Sequence, residues 1–429
     1  MPDISTINGV AEDNISTWNG TAAANITSVN ANTWVHGVKG TLWIWGYDDN
    51  GTAMQNTGGH NNGGASNAGL SSPIQIHGAL ADSQFSFIAT GHQNVAMVLD
   101  GKMYGAGADY GIMGLAGSTA NRRYSVATQM AVSKDDWAGM TCGLATWIAV
   151  DTSGKLWSWG YNYISGRAGM LGRSTALNRI ESTPTQIGSE TYWDPNRLFS
   201  DRSCFALINT NDELFMWGEN EGGQLGDGTI ISRSSPVQIA GTDWNNIAIG
   251  NDQNSAAVKN DGTLWTWGGG AGGSLGNNTA NNNVSRSSPV QLGSDTNWAR
   301  VVAEAATPGN ASFHAVKTDG TLWAWGNNYL GSLGLGDVAS RSSPTQVGSQ
   351  TYWSSERDHM GTTYSARHFI DQTGRLWGWG ATRPFGQLGN GIGGANDQSV
   401  PVQIGSATDW LKVEADGNQV TVLSLRTPA

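Results

Sequence analysis

The sequence is poor in residues that most folds and most chemistries need. Its 429 residues hold two cysteines, Cys142 and Cys204. That excludes a disulfide framework and four-cysteine zinc chemistry, and both read as buried core residues. Charged residues make up 13%, against about a quarter in ordinary domains. No run of eighteen apolar residues occurs, so no membrane insertion is expected. The opening Met1-Pro2-Asp3-Ile4-Ser5-Thr6 lacks a basic and then apolar lead, so no secretory signal is expected. With a net charge of −11, nucleic acid and anionic membranes are poor partners.

What is abundant is glycine, at 60 residues, and tryptophan, at 20. Gly and Asn are weak helix formers, while Trp, Thr, Val and Ile favour strands, so the chain reads as all-β. At 38% hydrophobic, it has enough apolar mass for a packed core.

One pentapeptide recurs. It reads Leu42-Trp43-Ile44-Trp45-Gly46, Leu156-Trp157-Ser158-Trp159-Gly160, Leu214-Phe215-Met216-Trp217-Gly218, Leu264-Trp265-Thr266-Trp267-Gly268, Leu322-Trp323-Ala324-Trp325-Gly326 and Leu376-Trp377-Gly378-Trp379-Gly380. A worn copy, Met103-Tyr104-Gly105-Ala106-Gly107, makes seven. The closing glycines stand 61, 53, 58, 50, 58 and 54 residues apart, the period of a repeat architecture.

Each copy has companions in fixed order. A small-residue strand and a turn precede it, as in Ser255-Ala256-Ala257-Val258 before Asp261-Gly262. A Gly-x-Leu-Gly turn follows, at Gly223–Gly226, Gly273–Gly276, Gly331–Gly334 and Gly386–Gly389. An extended segment headed by Pro comes next, with Pro73, Pro184, Pro236, Pro289, Pro344 and Pro401 in one slot and Ala127 in the seventh. Six further Trp (Trp137, Trp193, Trp244, Trp298, Trp353, Trp410) recur once per repeat, so most of the Trp are packing residues. Within the pentapeptide the two Trp face one side and Leu the other. Sheets with two apolar faces bury them against neighbours in a radial stack. The last copy stops after its small strand, Val420–Leu425, and the missing pentapeptide stands at the chain's beginning. The expected fold is therefore a seven-bladed β-propeller over residues 34–429, closed by strands from both ends.

This ordered set resembles the regulator-of-chromosome-condensation repeat family over roughly residues 34 to 429. The resemblance implies a seven-bladed propeller, in a family whose members include exchange factors, light sensors, inhibitors and adaptors, so it does not fix function. The family's usual His in the small strand is replaced here by Asn94, Thr146, Cys204, Asn254, Ser312, Ala366 and Gln419. The basic segments of the exchange factor and the Gly-Trp-Arg-His-Thr run of the light sensor are also missing.

Residues 1–33 differ. Ile4-Ser5-Thr6-Ile7-Asn8-Gly9 returns as Ile15-Ser16-Thr17-Trp18-Asn19-Gly20 and then Ile26-Thr27-Ser28-Val29-Asn30, a period of eleven. Asn-Gly at one phase favours short extended pieces joined by tight turns over a helix. Too small to bury a core, this segment is expected to order against a partner or another copy. It resembles repeats near the starts of marine bacteriophage virion proteins. Ile4, Ile7, Ile15, Trp18, Ile26 and Val29 are its anchoring candidates.

No chemistry emerges. The seven His show no metal spacing, and His314 and His368 read as packed rings in the small strand. Glycine runs such as Gly268–Gly273 do not open a helix, so no phosphate loop is supported. No nucleophile with a base and no carboxylate pair stands out, so no catalytic, cofactor or metal site is assigned and an enzyme is not expected. Function then falls to loops on a rigid scaffold, with Tyr47, Asp48, Asp49 and His60 in the longest and Tyr161, Tyr163 and Arg167 in a second. The expectation is a non-enzymatic bacteriophage display protein, a head-decoration, tail or fibre component assembled in the host cytoplasm. The leader would bind other virion proteins, and the loops a host-surface protein or glycan. The alternative is a bacterial propeller, adaptor or inhibitor, that binds another protein.

Overall fold

In a computed structural model the chain divides into two compact units, Met1–His36 and Gly37–Ala429. The structure describes residues 6–7, 10–11, 17–18, 21–22, 38–39, 41–46, 70–75, 84–91, 94–99, 101–109, 122–130, 134–143, 145–164, 167–173, 180–250, 253–278, 284–303, 311–363, 366–382, 387–391, 397–415 and 421–426. Within the first unit, Thr6–Ile7 pairs with Val10–Ala11, and Thr17–Trp18 with Thr21–Ala22, both antiparallel. Each pair brackets an Asn-Gly in sequence, at the eleven-residue phase.

The second unit is a ring of seven antiparallel sheets. Blade 1 joins the two ends of the unit: Trp410–Ala415, Thr421–Arg426, Thr41–Gly46 and Leu70–Gln75 lie side by side in that order. Blade 2 uses Gln84–Gly91, Asn94–Leu99, Lys102–Asp109 and Arg122–Gln129, with Val38–Lys39 added beside the first of them. Blades 3 to 7 begin at Trp137, Trp193, Trp244, Trp298 and Met360, each with four strands in chain order. Among the described residues there is no α-helix.

The ladder explains the repeat. In blade 5, Asn254–Lys259 pairs with Leu264–Gly268, which sets Asn254 opposite the closing Gly268. The same register sets Cys204 against Gly218, Ser312 against Gly326 and Ala366 against Gly380. In blade 1 it is Thr421 that faces Gly46, so Gln419 is not the equivalent residue; the ladder shifts that assignment by two. Gly268 sits at φ +92°, and a Cβ there would lie 2.2 Å from the Gln253 carbonyl oxygen. Only glycine tolerates both conditions. The prolines do not head their strands. Pro236 falls inside Arg233–Gln238, where Met216↔Val237 gives way to Gly218↔Arg233, so it occupies a bulge in an edge strand that needs no donor there.

Blade contacts follow the two-residue period. The Leu side of one blade meets the Trp side of the next. Leu214 and Met216 of blade 4 pack with Trp244, Trp265 and Trp267 of blade 5. Leu264 of blade 5 packs with Trp298, Trp323 and Trp325 of blade 6, and Leu376 of blade 7 with Trp43, Trp45 and Trp410 of blade 1. The Gly-x-Leu-Gly turn completes each seam. The indole N–H of Trp267 donates to the Gln224 carbonyl at 2.8 Å, Trp325 to Ser274 at 2.9 Å, Trp379 to Ser332 at 2.9 Å and Trp45 to Gln387 at 3.1 Å. Cys142 and Cys204 are buried thiols within these seams, donating to the Gly143 carbonyl at 3.0 Å and the Glu219 carbonyl at 3.1 Å.

Candidate functional site

The first strand of each blade lines the central channel, which encloses about 200 Å³. Most of its lining is apolar or small, including Ala89, Ala248, Val302 and Ala303. Charged side chains enter from blade 4, as Asp201 and Arg202, and from the successive blades 6, 7 and 1. Arg300 stands two residues after Trp298, while Lys412 and Glu414 follow Trp410.

Blade 7 supplies the rest by an irregularity. Trp298 and Val301 are three positions apart in blade 6, whereas the equivalently paired Trp353 and Met360 are seven apart. The extra residues form a short 3₁₀ turn, Arg357–His359. Arg357 crosses the channel: its Nη2 donates to the Leu198 carbonyl of blade 4 at 2.8 Å. Its guanidinium lies 5.2 Å from the Phe199 ring centroid and 5.7 Å from that of Phe87, in blade 2. Asp358 binds Lys412 across the blade 7–1 seam at 2.6 Å.

These groups perturb one another as Coulomb's law requires. Burial and then the neighbouring Arg357 pull Arg300 down to about 10. Burial would raise Asp358, but Lys412 and Arg357 outweigh it and hold the carboxyl at about 2. Glu414 goes the other way: burial, and then the charge of Asp358, push it up to about 7.

The sign of the pH dependence follows. Glu414 takes up its proton more readily folded than unfolded, so it costs nothing below its ordinary carboxylate range. The cost grows as pH rises towards 7 and is constant above. The fully buried His314 and His368 and the partly buried His359 are all lowered, chiefly by burial, and act oppositely, losing stability as pH falls below 6.5. Comparison with Glu414→Gln cancels the histidines. The variant should exceed the wild type in unfolding free energy at pH 8 by on the order of 1–3 kcal/mol and match it at pH 4.5. Denaturant titrations at the two pH values check this, and an equal difference at both contradicts it.

A second feature is an apolar arc. The connections between third and fourth strands of blades 4, 5 and 6 expose Ile230 (66%), Ile231 (61%), Val284 (52%) and Val338 (70%), with Tyr329 beside the blade 6 turn. Each connection is tied to the next blade: Gly228 N–H donates to Ser287 O, Asn278 N–H to Ser342 O, and Gly336 N–H to Ser399 O. The four apolar side chains therefore stand in the same connection of three consecutive blades, Ile230 and Val338 three residues before the Arg that starts the outer strand and Ile231 and Val284 two before it.

The structure places some of the residues expected from the sequence to bind. Tyr161 is not in a loop: it ends the strand Leu156–Tyr161, half-buried against the blade 2–3 seam. Tyr163 pairs with Ala168, and Ile164 with Arg167, in a two-stranded ribbon. Ile7 and Trp18 lie in the leader's paired strands. Ile4, Ile15, Ile26, Val29, Tyr47, Asp48, Asp49 and His60 fall outside the described residues. His314 and His368 are fully buried, edge-on to Trp379 at 5.5 Å and to Trp45 at 5.4 Å. The channel charges were missed by sequence reasoning. Their signal was the run Glu356-Arg357-Asp358-His359, inserted after a repeat Trp in a chain with little charge.

Comparison with known proteins agrees with this geometry. The Regulator of chromosome condensation (RCC1) repeat profile matches residues 211–257 and 319–353. Over these two segments the chain is similar to the regulator of chromosome condensation repeat. Among solved structures, human WBSCR16 matches with a TM-score of 0.73 at 16% identity, covering 91% of this chain and 99% of that one. Prp20p from Saccharomyces cerevisiae gives 0.72 at 17%, covering 94% and 95%. Those likenesses establish the repeat fold alone. Among curated relatives, human E3 ubiquitin-protein ligase HERC2 is 29% identical over 58% of this chain, which is 5% of HERC2. The ultraviolet-B receptor UVR8 of Arabidopsis thaliana is 29% identical over 47% of this chain and 44% of its own length. The chain thus spans less than half the length of either. Yeast RCC1 (Prp20) has been solved bound to Kap60, and Prp20p binds Gsp1p and histones. None of these relatives points to a virion, and the protein-binding alternative is the better supported.

Proposed function

We propose that the propeller is a protein-binding scaffold, an adaptor or inhibitor that docks its partner on the third-to-fourth-strand connections of blades 4 to 6. The observation that carries this reading is the arc of Ile230, Ile231, Val284 and Val338. Large apolar side chains exposed in the same connection of three successive blades fit an interface better than scattered surface residues do. The scaffold beneath is rigid, so little ordering entropy is lost on docking. The protein partners of yeast Prp20 support the same class of function.

A specific observation keeps a second reading. Paired strands in the leader at the eleven-residue phase suit a segment that orders by assembly, as a virion attachment would. One capture experiment separates the two. The full chain is immobilised beside I231D/V338D and a form lacking residues 1–33, and extract of the source cells or particles is passed over each. The scaffold reading expects one stoichiometric protein on the full chain and the truncated form, with at least a tenfold loss on I231D/V338D. Retention by I231D/V338D with loss on truncation moves the function to the leader.

A further inference from the structure

The channel holds more donor capacity than the protein uses. The Nη1 of Arg357 and the Nε of Arg300 are both buried and have no hydrogen-bond partner. Leaving a charged donor unsatisfied inside a protein is costly, and native structures rarely do so without a function for it. Arg357 is also held in place, by its Nη2 bond to Leu198 and by the rings of Phe87 and Phe199. Its free edge is therefore preorganised. Both guanidiniums line one cavity of about 200 Å³, and a dry cavity of about 150 Å³ already takes a benzene.

We propose that the channel is a binding site for a small organic carboxylate, with Arg357 and Arg300 as its anion-binding residues. Guanidinium groups present paired N–H donors that match the two oxygens of a carboxylate. Ala89, Ala248, Val302 and Ala303 add small apolar surface to the same lining, which suits a short carbon body beside the carboxylate. The charges around the cavity leave room for a single negative charge: Arg202, Arg300, Arg357 and Lys412 face Asp201, Asp358 and Glu414. Lys412 holds Asp358 at 2.6 Å and Arg357 reaches the same carboxylate at 4.0 Å. The Glu414 carboxyl, pushed up to about 7, is partly protonated and opposes one incoming charge weakly, but a dianion strongly. The blade 7 insertion is what carries Arg357 to the Leu198 carbonyl on blade 4.

The test is saturation-transfer NMR with benzoate as the observed ligand, and with butyrate, inorganic phosphate and sodium chloride as competitors at matched ionic strength. Saturable benzoate binding, displaced by butyrate and at least tenfold less well by phosphate or chloride, is the expected result. Binding should weaken at least tenfold in Arg357→Gln and in Arg300→Met. Ala303→Leu, which keeps both arginines but fills the channel, should weaken it as well, and this variant serves if either arginine change unfolds the ring. No saturable binding overturns the proposal, as does binding unchanged in folded variants. Equal displacement by phosphate overturns the carboxylate class.

Discussion

Deleting the chain from Thr421 onward should abolish cooperative folding of the propeller. The strand Thr421–Arg426 is hydrogen-bonded on both sides, to Trp410–Ala415 and to Thr41–Gly46. It is the joint between the two ends of the ring. Val422 packs into the blade 7–1 seam with Trp45 and Trp410, and Leu425 into the blade 1–2 seam with Leu42 and Ile44. Arg426 stacks over Trp43 and Trp410 and pairs with Asp409 at 2.7 Å. Without this strand two seams open and two unpaired edges appear, the exposure that a closed ring removes. An open row of blades would melt piecewise, as linear repeat arrays do. The expected observations are loss of the near-ultraviolet tryptophan dichroism and of a single sharp thermal transition. A truncated chain that melts in one step within a few degrees of the full chain would sink the account.

The ring was legible in the sequence because its cause is periodic. Each Leu-Trp-x-Trp-Gly must bury both faces, and each copy repeats the same demand, so the blade count and the two-ended closure followed from counting. The prolines were misread for a local reason: a bulge shifts the outer strand's start three residues upstream of Pro236, and a bulge leaves little mark on hydrophobic pattern. Gln419 was misassigned because a two-residue slip preserves the facing of every side chain, and only the ladder tells Thr421 from Gln419. The channel was missed for a different reason. Arg300 and Glu414 each sit in a strand that reads as ordinary blade, and only ring closure brings them to one cavity with Arg357. Tyr161 was taken for a loop residue because Tyr161-Asn162-Tyr163 looks like a polar connection. In the structure its amide donates to Ala145 O at 2.8 Å, extending the strand by one residue past the pentapeptide.

Trp267→Ala should destabilise the propeller by about 3–5 kcal/mol, the cost of emptying a fully buried aromatic site. Trp265→Ala, two residues earlier on the same side, should cost clearly less. Trp267 has no exposed surface, lies 6.0 Å from Trp244 and reaches the blade 4 turn through Gln224 O at 2.8 Å. Trp265 is half-buried at the rim and bonds only to Thr263 of its own blade. Most of the loss should come from packing, because Gln224 O also accepts the Ser255 hydroxyl at 2.9 Å and is not orphaned. The seam makes a sharper demand. A Cβ on Gly226 would stand 2.7 Å from the Trp267 indole nitrogen, with Gly226 at φ +75°. Gly226→Ala in the wild type therefore meets both steric overlap and backbone strain. In the Trp267→Ala background only the strain remains, about 1 kcal/mol. A double-mutant cycle by denaturant unfolding should then show the second substitution costing less than it does alone, a coupling of about 1–2 kcal/mol across two blades. Strict additivity would mean that the turn glycine answers to its own backbone alone. The blade 4–5 seam would then hold without the contact that links the Gly-x-Leu-Gly turn of one repeat to the second Trp of the next.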